Sequence, residues 1–139
     1  MIDPIQVLQR LRAICLALPE AVEVVTWGHP TFRAGRRDFV VWEHYHGEWC
    51  IALRVGRSLQ RELLKDARFY LTPYVGKHGW VSLRATGPLD WVEVAALAHQ
   101  SYRQVAIKRM LRAFDGSRGP GAAVAKENRP GRAKRPSRR

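Results

Sequence analysis

The fold class is decided by residues 48–55, which read Glu-Trp-Cys-Ile-Ala-Leu-Arg-Val. Large apolar side chains occupy every second position, and this alternation is typical of a β-strand with one buried face. A turn-like segment at 44–47 separates this strand from another β-rich run at 38–43. Because a parallel crossover needs a dozen or more residues, so short a connection predicts antiparallel pairing.

Similar patterns on both sides complete the element order. Further strands are predicted at 22–27, 69–71 and 80–83, and a turn at 28–30 is predicted after the first of them. The sequence therefore places three strands ahead of a central helix and two strands after it.

Capping signals mark three helices around these strands. Asp3-Pro4 begins the first helix, Ser58 caps a short central helix, and Asp90 opens a long helix that runs to about Phe114. The resulting order is α-β-β-β-α-β-β-α. It predicts an α+β fold, a two-layer sandwich of an antiparallel sheet with its helices on one side.

Composition limits the classes of protein to which this chain can belong. It has 139 residues, 46% of them hydrophobic, which suits a single core. No run approaches the roughly 18 apolar residues of a membrane span, and the N-terminus lacks a secretory signal. We therefore expect a cytoplasmic protein with no membrane partner. Cys15 and Cys50 stand among apolar neighbours and outside any zinc-type cluster, which predicts buried thiols in a reducing compartment.

The formal net charge of +12 is divided evenly between two parts of the chain. Residues 1–114 carry +6 and are predicted to form the α+β domain. Residues 115–139 carry the other +6, lack aromatic side chains and include Gly116, which is expected to end the last helix. Such a segment cannot bury enough apolar surface to offset its ordering entropy, so we predict a disordered basic tail. A tail of this kind adds salt-sensitive affinity for polyanions without sequence preference.

Arg54 and Arg57 form one basic cluster of the folded part, and three further groups of basic side chains suit phosphate contacts. One group surrounds the predicted hairpin tip at 36–37, and another lies in the loop 76–79, whose two glycines allow a close backbone approach. The third lies near the end of the last helix, where cations also complement the helix dipole. These candidates for nucleic-acid binding are Arg33, Arg36, Arg37, Lys77, His78, Lys108, Arg109 and Arg112.

Motifs of the common enzyme and cofactor classes are missing from the sequence. There is no Gly-x-Ser-x-Gly elbow, no HExxH pair and no GxGxxG loop. The five histidines do not stand at metal-ligand spacings with acidic or cysteine partners. The sequence therefore predicts a non-enzymatic protein with neither a bound metal nor a cofactor.

Two motifs give the chain a family resemblance. Residues 27–32 read Trp-Gly-His-Pro-Thr-Phe, and residues 73–81 read Pro-Tyr-Val-Gly-Lys-His-Gly-Trp-Val. With 15–21, 89–91 and 101–106, they resemble the MmcQ/YjbR family over about residues 5–112. The resemblance implies a secretion-chaperone-like α+β fold, a bacterial cytoplasmic protein and DNA binding, and it brings no catalytic residues. The matching motif positions are Trp27, Gly28, His29, Pro30, Phe32, Pro73, Tyr74, Gly76, Gly79 and Trp80.

Two functional hypotheses follow. The leading one is a small DNA-binding protein that contacts mainly phosphates, favoured by the pair Arg36-Arg37 at a hairpin tip. The alternative is a protein-interaction or small-ligand module in which ring side chains of both motifs line one pocket. Those side chains are Trp27, His29, Phe32, Tyr74, His78 and Trp80.

Overall fold

The computed structural model describes residues 2–123, with side chains as far as residue 116. The chain forms two compact units, Met1–Ala106 and Ile107–Arg139. The described part of the second unit is α4 (Lys108–Ala123). A short 3-10 turn at Gly76–His78 belongs to the first unit. The other elements of the first unit are α1 (Pro4–Leu16), β1 (Val22–Thr26), β2 (His29–Ala34), β3 (Arg37–Tyr45), β4 (Glu48–Arg54), α2 (Arg57–Leu63), β5 (Phe69–Leu71), β6 (Trp80–Arg84) and α3 (Trp91–Val105).

The six strands form one antiparallel sheet in the order β1-β2-β3-β4-β6-β5. The predicted α+β class and the antiparallel pairing are thereby confirmed, and the element order is approximately the predicted one. α3 packs across β3 and β4, and α1 packs beside α3.

The sequence predicts three strands before the central helix, and the structure has four. The additional strand, β2, begins at His29, inside the segment predicted to be a turn. Trp27 and Gly28 alone form the turn, and Pro30 lies within β2 opposite Val25. Proline cannot donate a hydrogen bond to a strand ladder and is rare in interior strands, which is why the sequence around it resembles a turn.

Three hairpins of the described chain share one turn geometry. Their central residues are Trp27-Gly28, Gly35-Arg36 and His46-Gly47, and φ is positive at both positions of each pair. This is the type I′ turn, whose twist matches that of the flanking strands. One residue of each pair is not glycine, and the left-handed conformation costs such a residue roughly 1–2 kcal/mol.

The buried side chains of the core include a row that runs across the sheet and one face of α3, on which Tyr102 lies. Tyr102 is fully buried, and its ring meets that of Phe39 edge-on with 5.7 Å between centroids. Its hydroxyl donates to the carbonyl of Pro19 at 2.8 Å. The row consists of cross-strand neighbours that are fully buried: Phe32, Val40, Leu53 and Val81.

Two of the three predicted helix caps are confirmed. Asp3 accepts a hydrogen bond from the amide of Ile5 at 3.0 Å, and Asp90 accepts from two amides of the first turn of α3 at 3.0 and 3.3 Å. The third prediction is wrong, because α2 begins at Arg57 and Ser58 is not its cap. Gly56 occupies the cap position of α2 without a side-chain hydrogen bond.

The long last helix of the prediction is two helices. α3 ends at Val105, Ala106 is extended with φ of −65° and ψ of 139°, and α4 begins at Lys108. Neither glycine nor proline marks this break, so local sequence rules do not find it. α4 also continues through Gly116, a residue that a helix interior tolerates at about 1 kcal/mol relative to alanine. Of the predicted tail, 115–139, residues 115–123 belong to α4, and those from 124 onward lie outside the described residues.

Candidate functional site

The strand register brings distant basic segments to one end of the sheet. Val40, three residues after Arg37, pairs with Leu53, and Arg54 pairs with Trp80. These pairings place the β2–β3 turn, the end of β4 and the β5–β6 loop at the same end of the sheet. We call this region the basic end. It carries Arg33, Arg36, Arg37, Arg54, Arg57 and Lys77.

Five of the six cations at the basic end form no salt bridge among the described residues. Arg33 forms an ion pair with Asp38, with Nε and Oδ1 2.8 Å apart. The other five form no salt bridge with any side chain in residues 2–116. Glu20 also lies at this end, ahead of β1 at the edge of the sheet. A cluster of unpaired cations creates a positive potential that attracts polyanions.

The β2–β3 turn holds one of these cations in an unfavourable backbone conformation. Arg36 is exposed and has a φ of +72°, at a turn position where glycine and asparagine are favoured. The turn itself does not require an arginine. Trp27 and His46 hold the same conformation in the other two hairpins, so it is the exposed charge at the tip, and not the backbone, that makes Arg36 a candidate for contact with a ligand.

Two cations of the basic end were not among the predicted phosphate contacts. Burial lowers the pKa of the Arg54 guanidinium, the charge of Arg37 lowers it further, and Asp38 opposes that change. Arg54 stays charged nonetheless, as arginines in proteins do. Arg57 donates through Nη1 to the carbonyl of Lys77 at 3.2 Å. Arg54 and Arg57 form a cluster in the sequence, and strand pairing is what places that cluster at the same end of the sheet as Arg36 and Arg37.

The β5–β6 loop, residues 72–79, is fixed to the rest of the first unit by close backbone contacts. The buried Gln60 of α2 donates through Nε2 to the carbonyls of Gly76 and Trp80 at 2.6 and 2.9 Å. The amide of Gly56 donates to the carbonyl of Gly79 at 3.1 Å. Gly79 has a φ of +89°, and a Cβ added there would lie 2.9 Å from Cα of Gly56. Glycine at position 79 is therefore required by the approach of two backbone segments.

The side chains of this loop divide into buried and exposed ones. Trp80 is 5% exposed and belongs to the core. Tyr74 is 93% exposed and has a φ of +68°. Lys77 and His78 are also exposed. The loop therefore presents a ring and two polar side chains to solvent from a fixed backbone.

The first motif lies at the other end of the sheet. Trp27 and Gly28 form the β1–β2 turn, which β2 separates from the basic end. Trp27 is 93% exposed there, whereas Phe32 lies in the core with no exposed surface. His29 begins β2 and pairs with Thr26. The structure therefore does not bring the ring side chains of the two motifs into one pocket.

The remaining predicted contacts lie in the second unit. Lys108, Arg109 and Arg112 are on α4, and their side chains are exposed. Exposure is what a phosphate contact requires, so their role stays a prediction.

A half-buried polar cluster is centred on β3 and β4. Glu43 pairs with Cys50, and the hydroxyl of Tyr70 donates to Cys50 Sγ at 3.2 Å. Burial raises the pKa of Cys50 to about 11, so the thiol is protonated at neutral pH and is a poor nucleophile. Both cysteines are buried and free, as predicted. Burial also raises the pKa of Glu43, and the nearby His29 opposes that change.

We expect Glu43→Gln to raise the melting temperature at pH 7 by about 2 °C. A carboxyl group whose pKa is higher in the folded state than in the unfolded state destabilises the fold when ionised. The gain in melting temperature should be complete above the raised pKa of Glu43 and should shrink as the pH falls through it. It should vanish below the pKa of a glutamate in the unfolded chain, about 4.3. Thermal unfolding of both proteins across this range checks the prediction. Glu62→Gln, at an exposed position, is the control, and a lower melting temperature for Glu43→Gln at pH 7 would contradict it.

Other features of the described residues offer less specific chemistry. α1 and α3 line an open groove of about 600 Å³ that includes Ala13, Trp91 and Ala95 and no residue of either motif. In the described part of the chain, no three His, Cys, Asp or Glu side chains lie close enough to hold a metal ion. None of the helices within residues 2–123 combines the length and the apolar character needed to span a bilayer.

Comparisons with known proteins concern the family and the fold. The family model described as YjbR matches residues 16–104. A Deinococcus radiodurans protein with a DUF419 domain has a similar solved structure, with a TM-score of 0.65 and 20% identity, covering 93% of this chain and 100% of that chain. A Pseudomonas syringae protein is similar with a TM-score of 0.62 and 16% identity, covering 75% of this chain and 99% of that chain. At such identities the likeness shows the fold alone. A search of curated proteins finds no match.

Proposed function

This chain belongs to the YjbR family, and we propose that it is a non-enzymatic DNA-binding protein that contacts phosphates through the basic end of its sheet. One observation carries the proposal: five cations that form no salt bridge within the described chain are gathered at one end of the sheet. They come from the β2–β3 turn, the end of β4, the start of α2 and the β5–β6 loop. The cations are Arg36, Arg37, Arg54, Arg57 and Lys77.

The chemistry of these side chains suits phosphate more than base edges. Four of the five are arginines, whose planar guanidinium group binds phosphate oxygens in a bidentate manner. Their anchors are a turn, a strand end, a helix start and a loop, and no helix face directs several of them into one groove. We therefore expect binding that depends strongly on salt and weakly on base sequence.

The decisive experiment is a salt titration. Fluorescence anisotropy of a labelled duplex of about 20 base pairs should show binding by the full-length chain, with log affinity falling linearly as log salt rises. The slope should be roughly −0.9 for each phosphate contact. If no duplex, single strand or RNA binds at low salt, the proposed function is wrong.

A charge reversal locates the binding surface. We expect Arg36→Glu with Arg37→Glu to weaken binding at low salt at least tenfold and to reduce the magnitude of the salt slope by about 2. The control is Arg10→Glu with Lys65→Glu, which changes the net charge equally at exposed positions of α1 and the segment after α2. Equal losses in the two variants would mean that overall charge, and not the basic end, determines the affinity.

A further inference from the structure

We propose that Tyr74 is a stacking platform for a nucleobase, so that the basic end binds a single strand more tightly than a duplex. This inference rests on the proposed function. It assigns to Tyr74 a role that neither the fold nor the phosphate contacts require.

Packing explains the residues at three other positions of the second motif, Gly76, Gly79 and Trp80. A Cβ added to Gly76 would lie 2.6 Å from Cγ of Leu71, so packing requires the absence of a side chain there. Gly79 allows the close approach of Gly56. Trp80 fills the core. Tyr74 alone among these motif positions has a large side chain that packs against almost nothing.

Exposure alone would not single out Tyr74, because isolated apolar side chains on a protein surface are ordinary. Its backbone adds a second observation: a φ of +68° is unfavourable for a bulky residue. A glycine at this position would relieve the strain and remove the exposed ring together. Trp27 shares both features at the other end of the sheet, so what distinguishes Tyr74 is its ordered loop and the cations that lie in and against that loop.

The third observation is that hydrogen bonds order the backbone of the loop that carries Tyr74. The amide of Gly76 donates to the carbonyl of Thr72 at 2.9 Å, and the amide of Val75 donates to the carbonyl of Pro73 at 2.8 Å. Gln60 holds the same loop from α2 with two buried hydrogen bonds. Because the backbone is already ordered, stacking a base on Tyr74 loses little conformational entropy.

The surroundings of the ring indicate which kind of ligand it takes. Lys77 follows in the same loop, and Arg57 is tied to its carbonyl. An exposed aromatic ring beside a cationic track is the combination with which proteins bind single-stranded nucleic acids, since rings stack on bases and cations contact the backbone. Within a duplex both faces of a base are covered by its neighbours. A ring on a fixed loop therefore favours a strand whose bases are free.

The experiment compares labelled oligonucleotides of about 20 nucleotides: a thymidine strand, an abasic strand of equal length and a duplex. We expect Tyr74→Ala in the full-length chain to weaken binding of the thymidine strand about 5- to 100-fold. Binding of the abasic strand and the slope of the salt dependence should not change, because no phosphate contact is lost. Tyr74→Phe, which keeps the ring, should bind like the original chain.

A matched control comes from the opposite end of the sheet. Trp27 is as exposed as Tyr74 and also has a positive φ, of +54°. Trp27→Ala should leave binding of all three ligands unchanged. Two results would overturn the stacking role and leave the proposed function intact. One is tight binding of the thymidine strand by Tyr74→Ala, and the other is an equal loss of affinity for the thymidine and abasic strands. Failure of the original chain to bind any of the three would instead reject the proposed function.

Discussion

Replacement of Gly79 by alanine should destabilise the first unit by about 3 kcal/mol or more. A steric clash and backbone strain contribute independently to this loss of stability. The new Cβ would stand 2.9 Å from Cα and 3.0 Å from the carbonyl carbon of Gly56, and backbone atoms cannot move aside as a flexible side chain can. The φ of +89° adds conformational strain for any residue with a Cβ.

The two terms can be separated with a second glycine. Gly47 has a φ of +79°, and no heavy atom of its described surroundings lies within 4 Å of an added Cβ. Gly47→Ala therefore carries strain without a clash and should cost about 1 kcal/mol. Urea unfolding followed by circular dichroism measures both. Equal losses for the two variants would mean that the contact between Gly56 and Gly79 contributes nothing to stability.

Truncation of Tyr102 to alanine should cost about 4 kcal/mol. The side chain is the largest among those with no exposed surface in the described chain. The change leaves a cavity under α3, removes the ring contact with Phe39 and breaks the hydrogen bond to the Pro19 carbonyl at 2.8 Å. Such a loss is a large fraction of the 5–15 kcal/mol that stabilise a typical domain.

Tyr102→Phe separates the contribution of the hydroxyl group from that of the ring. It keeps the ring and removes the hydroxyl, so we expect a cost of about 1 kcal/mol. Chemical denaturation of both variants gives the comparison. A loss for Tyr102→Phe close to that for Tyr102→Ala would show that the link to the segment before β1, and not packing, provides most of the stabilisation.

The fold could be predicted wherever a signal is local. Asp3 and Asp90 cap helices by bonding amides two or three residues away, and the alternation in 48–55 follows from the geometry of one strand. β2 was missed because Pro30 suggests a turn, whereas tertiary pairing on both sides holds it in a strand. The break at Ala106 has no local signal either.

In the candidate site, too, local signals could be found in the sequence and tertiary ones could not. Arg36 and Arg37 could be found because they are adjacent at a hairpin tip. Arg54 joins them only through the pairing of β3 with β4. In the sequence, Trp27 and Tyr74 are equivalent aromatic residues in two glycine-containing motifs, and only the strand register shows that they lie at opposite ends of the sheet. The role of Gln60 depends on two carbonyls that are distant in sequence.

The position of the basic end at the strand termini has a consequence for stoichiometry. From β2 to β6 the sheet crosses three strand spacings, about 14 Å in all. That length corresponds to roughly four phosphates along one strand of B-form DNA. On the proposed function, the whole sheet sets the spacing between neighbouring copies, because its six strands span five strand spacings, about 24 Å. Each bound copy should then cover at least roughly seven nucleotides of a strand, and the number bound at saturation should rise with each such length added.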